Sequence, residues 1–313
     1  MPAKQTYDLL VLGSGPAGLT AALYAHRAGL SVAVLGGAEM GGKVMRHHRI
    51  DNYPPFPGGV QGAELMVGWI KKTADQVGSY PMSLKAEKVS LAGPVKTVMA
   101  GGQEMAARTV IVATGSYPRR LNVPGEAKLD GKGVFYCATC DAPLLATMER
   151  QRALIIGSGN SAAHTALGVL PYAETVIIIM RGDKPQAQEA LVKALNADDK
   201  ASFITGRRVK AILGDQAVEG VVLEDAAGKP EDMAADAVFV GIGNLPLTDF
   251  LDGALELDKA GFIITDPDLS TSQPGVFAAG DVRTTPLRQI VTAAADGALA
   301  AQSAAAYLGT LSQ

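Results

Sequence analysis

Two glycine-rich turns of one design stand far apart in this chain, and such a turn demands a particular local fold. The first is Gly13-Ser14-Gly15-Pro16-Ala17-Gly18; the second is Gly157-Ser158-Gly159-Asn160-Ser161-Ala162. Each is entered from a short apolar run, residues 7–12 and 153–156. A helical pattern and a second apolar run follow each turn, ending at residues 35 and 179. Glycines there allow a tight turn and close approach of backbone to a pyrophosphate, which rests on the helix N-terminus. The hexapeptide alone is a weak signal, but inside a strand–turn–helix–strand unit it is strong. Ala162 stands where the first turn has its third glycine, a replacement the pattern tolerates. Two such units imply an α/β chain with two Rossmann-like dinucleotide-binding domains, and electrons passing between two carriers.

The remaining cues for the first domain lie on both sides of the second. Residues 109–115 read as a buried strand ending in the small-residue turn Ala113-Thr114-Gly115. Residues 275–281 read as a strand ending in Gly280-Asp281, with Asp281 placed to accept a hydrogen bond from a cofactor sugar-chain hydroxyl. The Ala-rich stretch 289–308 reads as a helix. One domain is therefore expected from residues 1–118 plus 246–313, with 119–245 inserted as the second. The acid that usually ends the second strand of a dinucleotide fold is absent, since Leu35 is followed by Gly36-Gly37. Glu39 is the nearest candidate for a ribose hydroxyl, or else a solvated loop acid.

Cys137 and Cys140 are the only cysteines in 313 residues. A CxxC pair in an otherwise thiol-free chain reads as one redox-active dithiol. A structural zinc site needs about four Cys or His ligands, and His26, His47, His48 and His164 do not have the spacing to complete one, so no metal is expected. Asp141 is either a helix N-cap or the acid–base group for the thiols. Pro143 suits the first turn of a helix, whose dipole would favour thiolate. The net charge of −3 argues against nucleic acid or an anionic membrane as the main partner. The first residues lack a signal-peptide core, and no uncharged apolar run approaches the roughly 18 residues of a membrane span. A cytoplasmic location is expected, where a CxxC works as a catalytic pair.

Taken in order, these motifs resemble the low-molecular-weight thioredoxin reductases over essentially the whole chain. The resemblance rests on the first glycine turn, Gly41-Gly42, residues 51–58 (Asp-Asn-Tyr-Pro-Pro-Phe-Pro-Gly), Ala113-Thr114-Gly115, residues 136–141, the second turn, residues 275–281, and Arg288-Gln289. It implies an FAD domain, an inserted nicotinamide domain carrying the CxxC, a homodimer, and thioredoxin or a similar small CxxC protein as partner. It further implies that Cys140 lies next to the flavin, that Cys137 attacks the partner disulfide, and that Asp141 moves protons. The FAD site would draw on Gly13, Ser14, Gly15, Pro16, Ala17, Gly18, Glu39, Gly42, Lys43, Asn52, Ala113, Thr114, Gly115, Gly280, Asp281, Arg288 and Gln289. The second dinucleotide site would draw on Gly157, Gly159, Asn160, Ser161, Ala162 and Arg181.

Two departures bear on the electron donor. Relatives that use NADPH typically follow the second-domain strand with His-Arg-Arg and a later Arg, which hold the 2′-phosphate. Here the strand runs into Met180-Arg181-Gly182-Asp183-Lys184-Pro185-Gln186, so one arginine remains. NADPH held through Arg181 and Lys184, NADH, or no nicotinamide at all are the open readings. The last would have ferredoxin or a second FAD supply the electrons. The basic run from Lys43 to Arg49 is either a solvated face or a surface for an acidic donor such as ferredoxin. Outside enzymology, the alternative is a flavin-binding redox sensor.

Overall fold

The computed structural model describes residues 6–37, 39–47, 50–78, 82–148 and 150–311. Two compact units are present: Met1–Tyr117 with Leu245–Gln313, and Pro118–Asn244. The first opens with β1 (Thr6–Leu12), α1 (Pro16–Arg27) and β2 (Val32–Leu35). Proline in the first turn of α1 costs no hydrogen bond, because that N–H has no partner inside the helix. After α2 (Gly62–Val77) come β3 (Ala86–Ser90), β4 (Lys96–Ala100) and β5 (Gln103–Val112). The N-terminal half of β5 pairs antiparallel with β4, whereas its C-terminal half runs parallel to β1 with Leu12 opposite Val112.

The chain then passes through β6 (Ser116–Pro118) into the second unit. There it forms β7 (Val134–Phe135), α3 (Ala138–Asp141), β8 (Arg152–Ile156), α4 (Asn160–Val169), β9 (Thr175–Ile179), α5 (Glu189–Asn196) and β10 (Ala201–Ile204). An antiparallel sheet of β11 (Arg208–Leu213), β12 (Gly220–Glu224) and β13 (Pro230–Ala234) precedes β14 (Ala237–Val240). The main sheet has the order β10-β9-β8-β14-β7, all parallel. β15 (Asn244–Pro246) returns the chain, pairing with β6. Arg119 N–H donates to Gly243 O at 2.9 Å, and Leu247 N–H donates to Gly115 O at 3.0 Å. β16 (Val276–Ala278) joins β5 in parallel, and α6 (Ile290–Thr310) follows.

The parallel strands of both sheets read as continuous apolar runs because both faces are covered. In the first unit α1 and α6 cover one side, and β3, β4 and residues 251–263 the other. In the second, α4 and α5 lie opposite the antiparallel β11–β13 sheet. The alanine content of α6 has a local cause. Ala293, Ala300, Ala301 and Ala304 pack with Ala17 and Ala21 of α1 in one buried cluster. At the crossing, a Cβ on Gly297 would lie 2.1 Å from the carbonyl oxygen of Ala17. Helix backbones thus approach to contact, and only glycine fits. Among the described residues, no helix is long and apolar enough to cross a membrane.

Gly297→Ala is expected to destabilise the protein by about 1–3 kcal/mol through overpacking. Gly309→Ala, in the same helix with open space around it, should be neutral or slightly stabilising. Denaturant unfolding of both variants checks this; equal effects would contradict the close-approach account.

Candidate active site

The turn between β1 and α1 is closed on one side and open on the other. Gly13 N–H donates to Leu35 O at 2.7 Å, and φ is +121°. A Cβ on Gly13 would sit 2.2 Å from the Ala113 carbonyl oxygen, and one on Gly18 would sit 1.9 Å from Gly13 O. Gly15 faces open space, and no side chain caps α1. The first N–H groups of the helix are therefore directed at whatever anion enters. Ser14 is buried; its hydroxyl donates to Gly36 O at 2.8 Å and accepts from Gly41 N–H at 3.0 Å. It ties the turn to the loop after β2. Gly42 lies over Gly15, and Lys43 forms an ion pair with Asp281.

Asp281 follows β16 in a turn anchored from two directions. Ala279 N–H donates to Val112 O at 3.0 Å, and Gly280 N–H donates to Asp296 Oδ2 at 3.0 Å. Ala113 N–H bonds Leu12 O, and the Thr114 hydroxyl donates to Leu247 O at 2.8 Å. The Gly13–Gly18 turn, Gly42, Lys43, residues 113–115, Gly280 and Asp281 thus gather at the C-terminal ends of β1, β5 and β16. Open α/β sheets bind nucleotides there.

Asn52 and Gln289 meet, with Nδ2 donating to Oε1 at 2.9 Å. Gln289 also caps α6 in a reciprocal box with Thr292. The Arg288 guanidinium lies 4.1 Å from the Phe262 ring centroid and donates to the carbonyls of Asp281, Arg283 and Thr285. Glu39 divides its carboxylate, one oxygen pairing with Arg46 and the other accepting from the Tyr117 hydroxyl at 3.0 Å. Arg46 also lies over the Tyr117 ring at 5.6 Å. Asp296, which holds the Gly280 turn, was missed by motif reading, although it is the one charged side chain in the Ala-rich stretch of α6. His48 and Arg49 of the basic run lie outside the described residues.

The second turn repeats the closed side. A Cβ on Gly157 would sit 2.5 Å from Gly241 O and 3.0 Å from the Ala162 methyl. Gly159 precedes α4, which no side chain caps. Ser161 is exposed on its first turn. Here, however, the segment after β9 folds onto the turn. Gln186 N–H donates to Ser158 O at 2.7 Å, and Gln188 N–H donates to the Asn160 side chain at 2.8 Å. Arg181 is exposed. Gly206 and Arg207 bond the carbonyls of Gly182 and Met180, which places a second arginine at the end of β9 that the strand's own sequence does not reveal.

Cys137 and Cys140 form a disulfide with Cα atoms 5.3 Å apart. Cys137 is the N-cap of α3, its sulfur accepting from Cys140 N–H at 3.2 Å. The helix expected to start at Pro143 is instead a 3₁₀ turn, Ala142–Thr147, after the single turn of α3. With so few aligned peptides the dipole argument for thiolate is weak, and the donated N–H is the more direct influence. Asp141 caps neither turn. Its carboxylate reaches back to accept from Cys137 N–H at 3.3 Å. Burial above all pushes its pKa up to about 6; the Asp130 charge adds to this, and the Cys137 and Tyr136 N–H groups oppose it. Such a group exchanges protons close to neutral pH. Among the described residues, no cluster of His, Cys, Asp or Glu could hold a metal.

Residues 7–297 match the pyridine nucleotide-disulphide oxidoreductase family. The chain belongs to that family. Within it, this oxidoreductase is of the low-molecular-weight thioredoxin reductase type. It is 37% identical to the thioredoxin reductase of Peptoclostridium acidaminophilum, covering 97% of this chain and 98% of that one. It is 38% identical to that of Mycolicibacterium smegmatis, covering 98% and 99%. The solved thioredoxin reductase of Streptococcus pyogenes superposes with a TM-score of 0.89 at 38% identity, over 98% of this chain and 100% of that one. Family membership implies FAD and a nicotinamide site. The bare backbone cradles at both glycine turns fit phosphate-bearing groups.

The raised pKa of Asp141 couples its protonation to stability. Because it lies above the ordinary 3.8, its contribution to stability is present below about pH 4 and lost as pH rises through about 6. Asp141→Asn in the oxidised protein should therefore remove a stability loss between pH 4 and 7. Unfolding midpoints of wild type and variant across that range test it; parallel curves would contradict the burial of a titrating carboxyl.

Proposed function

We propose that the chain is an FAD-dependent dithiol–disulfide oxidoreductase that passes an electron pair through Cys137 and Cys140 to thioredoxin or a similar small CxxC protein. The observation that carries this reading is the Cys137–Cys140 disulfide with the Asp141 carboxylate accepting from Cys137 N–H beside it. It is supported by relatives that are themselves named thioredoxin reductases. When bound, FAD would carry electrons from the donor to the dithiol. Its pyrophosphate would rest on the Gly13–Gly18 turn, with Gly42 and Ala113–Gly115 shaping the cradle. Asp281 and Lys43 would meet its sugar chain, and Asn52, Arg288 and Gln289 its remaining polar groups.

In the reduced state the Cys137 thiolate attacks one sulfur of the partner disulfide, and the other partner sulfur leaves as a thiolate. Asp141 supplies the proton this thiolate takes up. The Cys140 thiolate then attacks Cys137, reforming the intramolecular disulfide and releasing the second partner sulfur. Two electrons leave the dithiol and two reach the partner. We take the active form to be a homodimer, as the resemblance implies, and its location to be cytoplasmic, where a CxxC works as a catalytic pair.

For the donor, the leading reading is NADPH, with its pyrophosphate at Gly157, Gly159 and the start of α4, and its 2′-phosphate on Arg181 and Lys184. A second reading, reduction by ferredoxin or a second flavin, is favoured by Gly182 and by the fold of residues 186–188 onto the second turn.

Anaerobic mixing of the holoenzyme with NADPH, NADH or photoreduced ferredoxin separates these readings. Stoichiometric bleaching of the flavin by NADPH within seconds is expected; bleaching by ferredoxin alone would replace the first reading with the second. Cys140→Ser should trap a mixed disulfide with the partner and alter the flavin spectrum, whereas Cys137→Ser should trap none. A dithiol unchanged by flavin reduction would instead mark a redox sensor.

A further inference from the structure

Just ahead of the CxxC, the second unit contains a polar cluster that the proposed chemistry leaves unused. Glu126 is 2% exposed, yet its carboxylate is fully met. It accepts from Leu121 N–H at 2.8 Å, Asn122 N–H at 2.6 Å and the Tyr136 hydroxyl at 2.8 Å. The Tyr136 oxygen in turn accepts from Arg120 Nη1 at 3.2 Å, and the guanidinium lies over the Tyr136 ring at 5.1 Å. The other end of Arg120 donates to Asp130 at 2.7 Å. Asn122, whose N–H makes one of these bonds, sits in the left-handed region at φ +57°, which asparagine adopts readily.

Two features separate the cluster from ordinary satisfaction of a buried acid. Tyr136 immediately precedes Cys137, and the N–H groups of both residues point at the Asp141 carboxylate. Asp130 also acts on Asp141 through space, favouring its protonated form. Arg120 therefore pairs with an anion whose charge reaches Asp141. Of the described elements packed on α3, α4 carries His164 as its titratable residue, and the 142–147 turn carries none.

We propose that Arg120 and Asp130 are positioning residues for the dithiol: their ion pair, anchored on the Tyr136 hydroxyl and the Glu126 carboxylate, sets the negative charge that Asp141 meets and so the pH range of thiol exchange. This rests on Asp141 being the acid–base group. Uncovering Asp130 lets Asp141 keep its proton to higher pH, while neutralising Asp130 releases that proton at lower pH. Tyr136→Phe keeps the ring but frees Arg120, and so acts in the direction of Arg120 removal, more weakly.

The test is the pH dependence of Cys137 alkylation by iodoacetamide in the dithiothreitol-reduced holoenzyme, compared among wild type, Arg120→Met, Arg120→Lys, Asp130→Asn, Tyr136→Phe and Asp141→Asn. The step that Asp141→Asn abolishes should move up by roughly half a pH unit in Arg120→Met and down by a similar amount in Asp130→Asn. Arg120→Lys should restore it. A purely structural cluster would move both variants alike or neither, and either result overturns the proposal. If Arg120→Met does not fold, Asp130→Asn and Arg120→Lys decide it by the same criterion. A wild-type profile without a step dependent on Asp141 overturns the acid–base reading itself, and this inference falls with it.

Discussion

Backbone packed on backbone, with no room for a methyl group, is the constraint on which both units depend. Gly13 against Ala113 and Gly157 against Gly241 are the same contact made twice, each between the turn after a first strand and the end of a neighbouring strand. Gly18 and Ala162 then fit the following helix under its own turn. The result is a helix N-terminus held over the end of a parallel sheet with its N–H groups facing outward. Everything assigned to nucleotide binding follows from that placement.

Two aspartates show how surroundings give one side chain different chemistry. Asp281 is nearly buried but paired with Lys43, so its charge is compensated and it can hold a fixed acceptor geometry. Asp141 is met instead by two backbone N–H groups and by the like charge of Asp130. Burial therefore dominates and keeps a proton within reach near neutral pH. A fixed acceptor suits the holding of a cofactor; a loosely held proton suits thiol exchange.

The elements carrying the glycine turns were legible because their strands are buried on both faces and form unbroken apolar runs. β3 and β13 were not read, since they expose much of their length and their polar residues blur any period. The CxxC announced its chemistry by isolation in the sequence, but the shape of the turn after it did not. Pro143 fits the start of an α-helix and of a 3₁₀ turn equally well. Asp296, Glu126 and Tyr117 stayed hidden for another reason. Each acts on a group at least ten positions away, or brought near only by a loop, and no local spacing records such a meeting.

The paired strands β6 and β15 carry a consequence for how such a chain came to be built. Arg119 and Gly243, the near ends of the second unit, are one hydrogen bond apart, as are Gly115 and Leu247 of the first. To the first unit, the whole inserted unit is entropically a hairpin loop, since its ends are already joined when it folds. Each unit can thus gain or lose residues in its own loops without taxing closure of the other. A nucleotide fold spliced in at such a site arrives with its folding problem already solved.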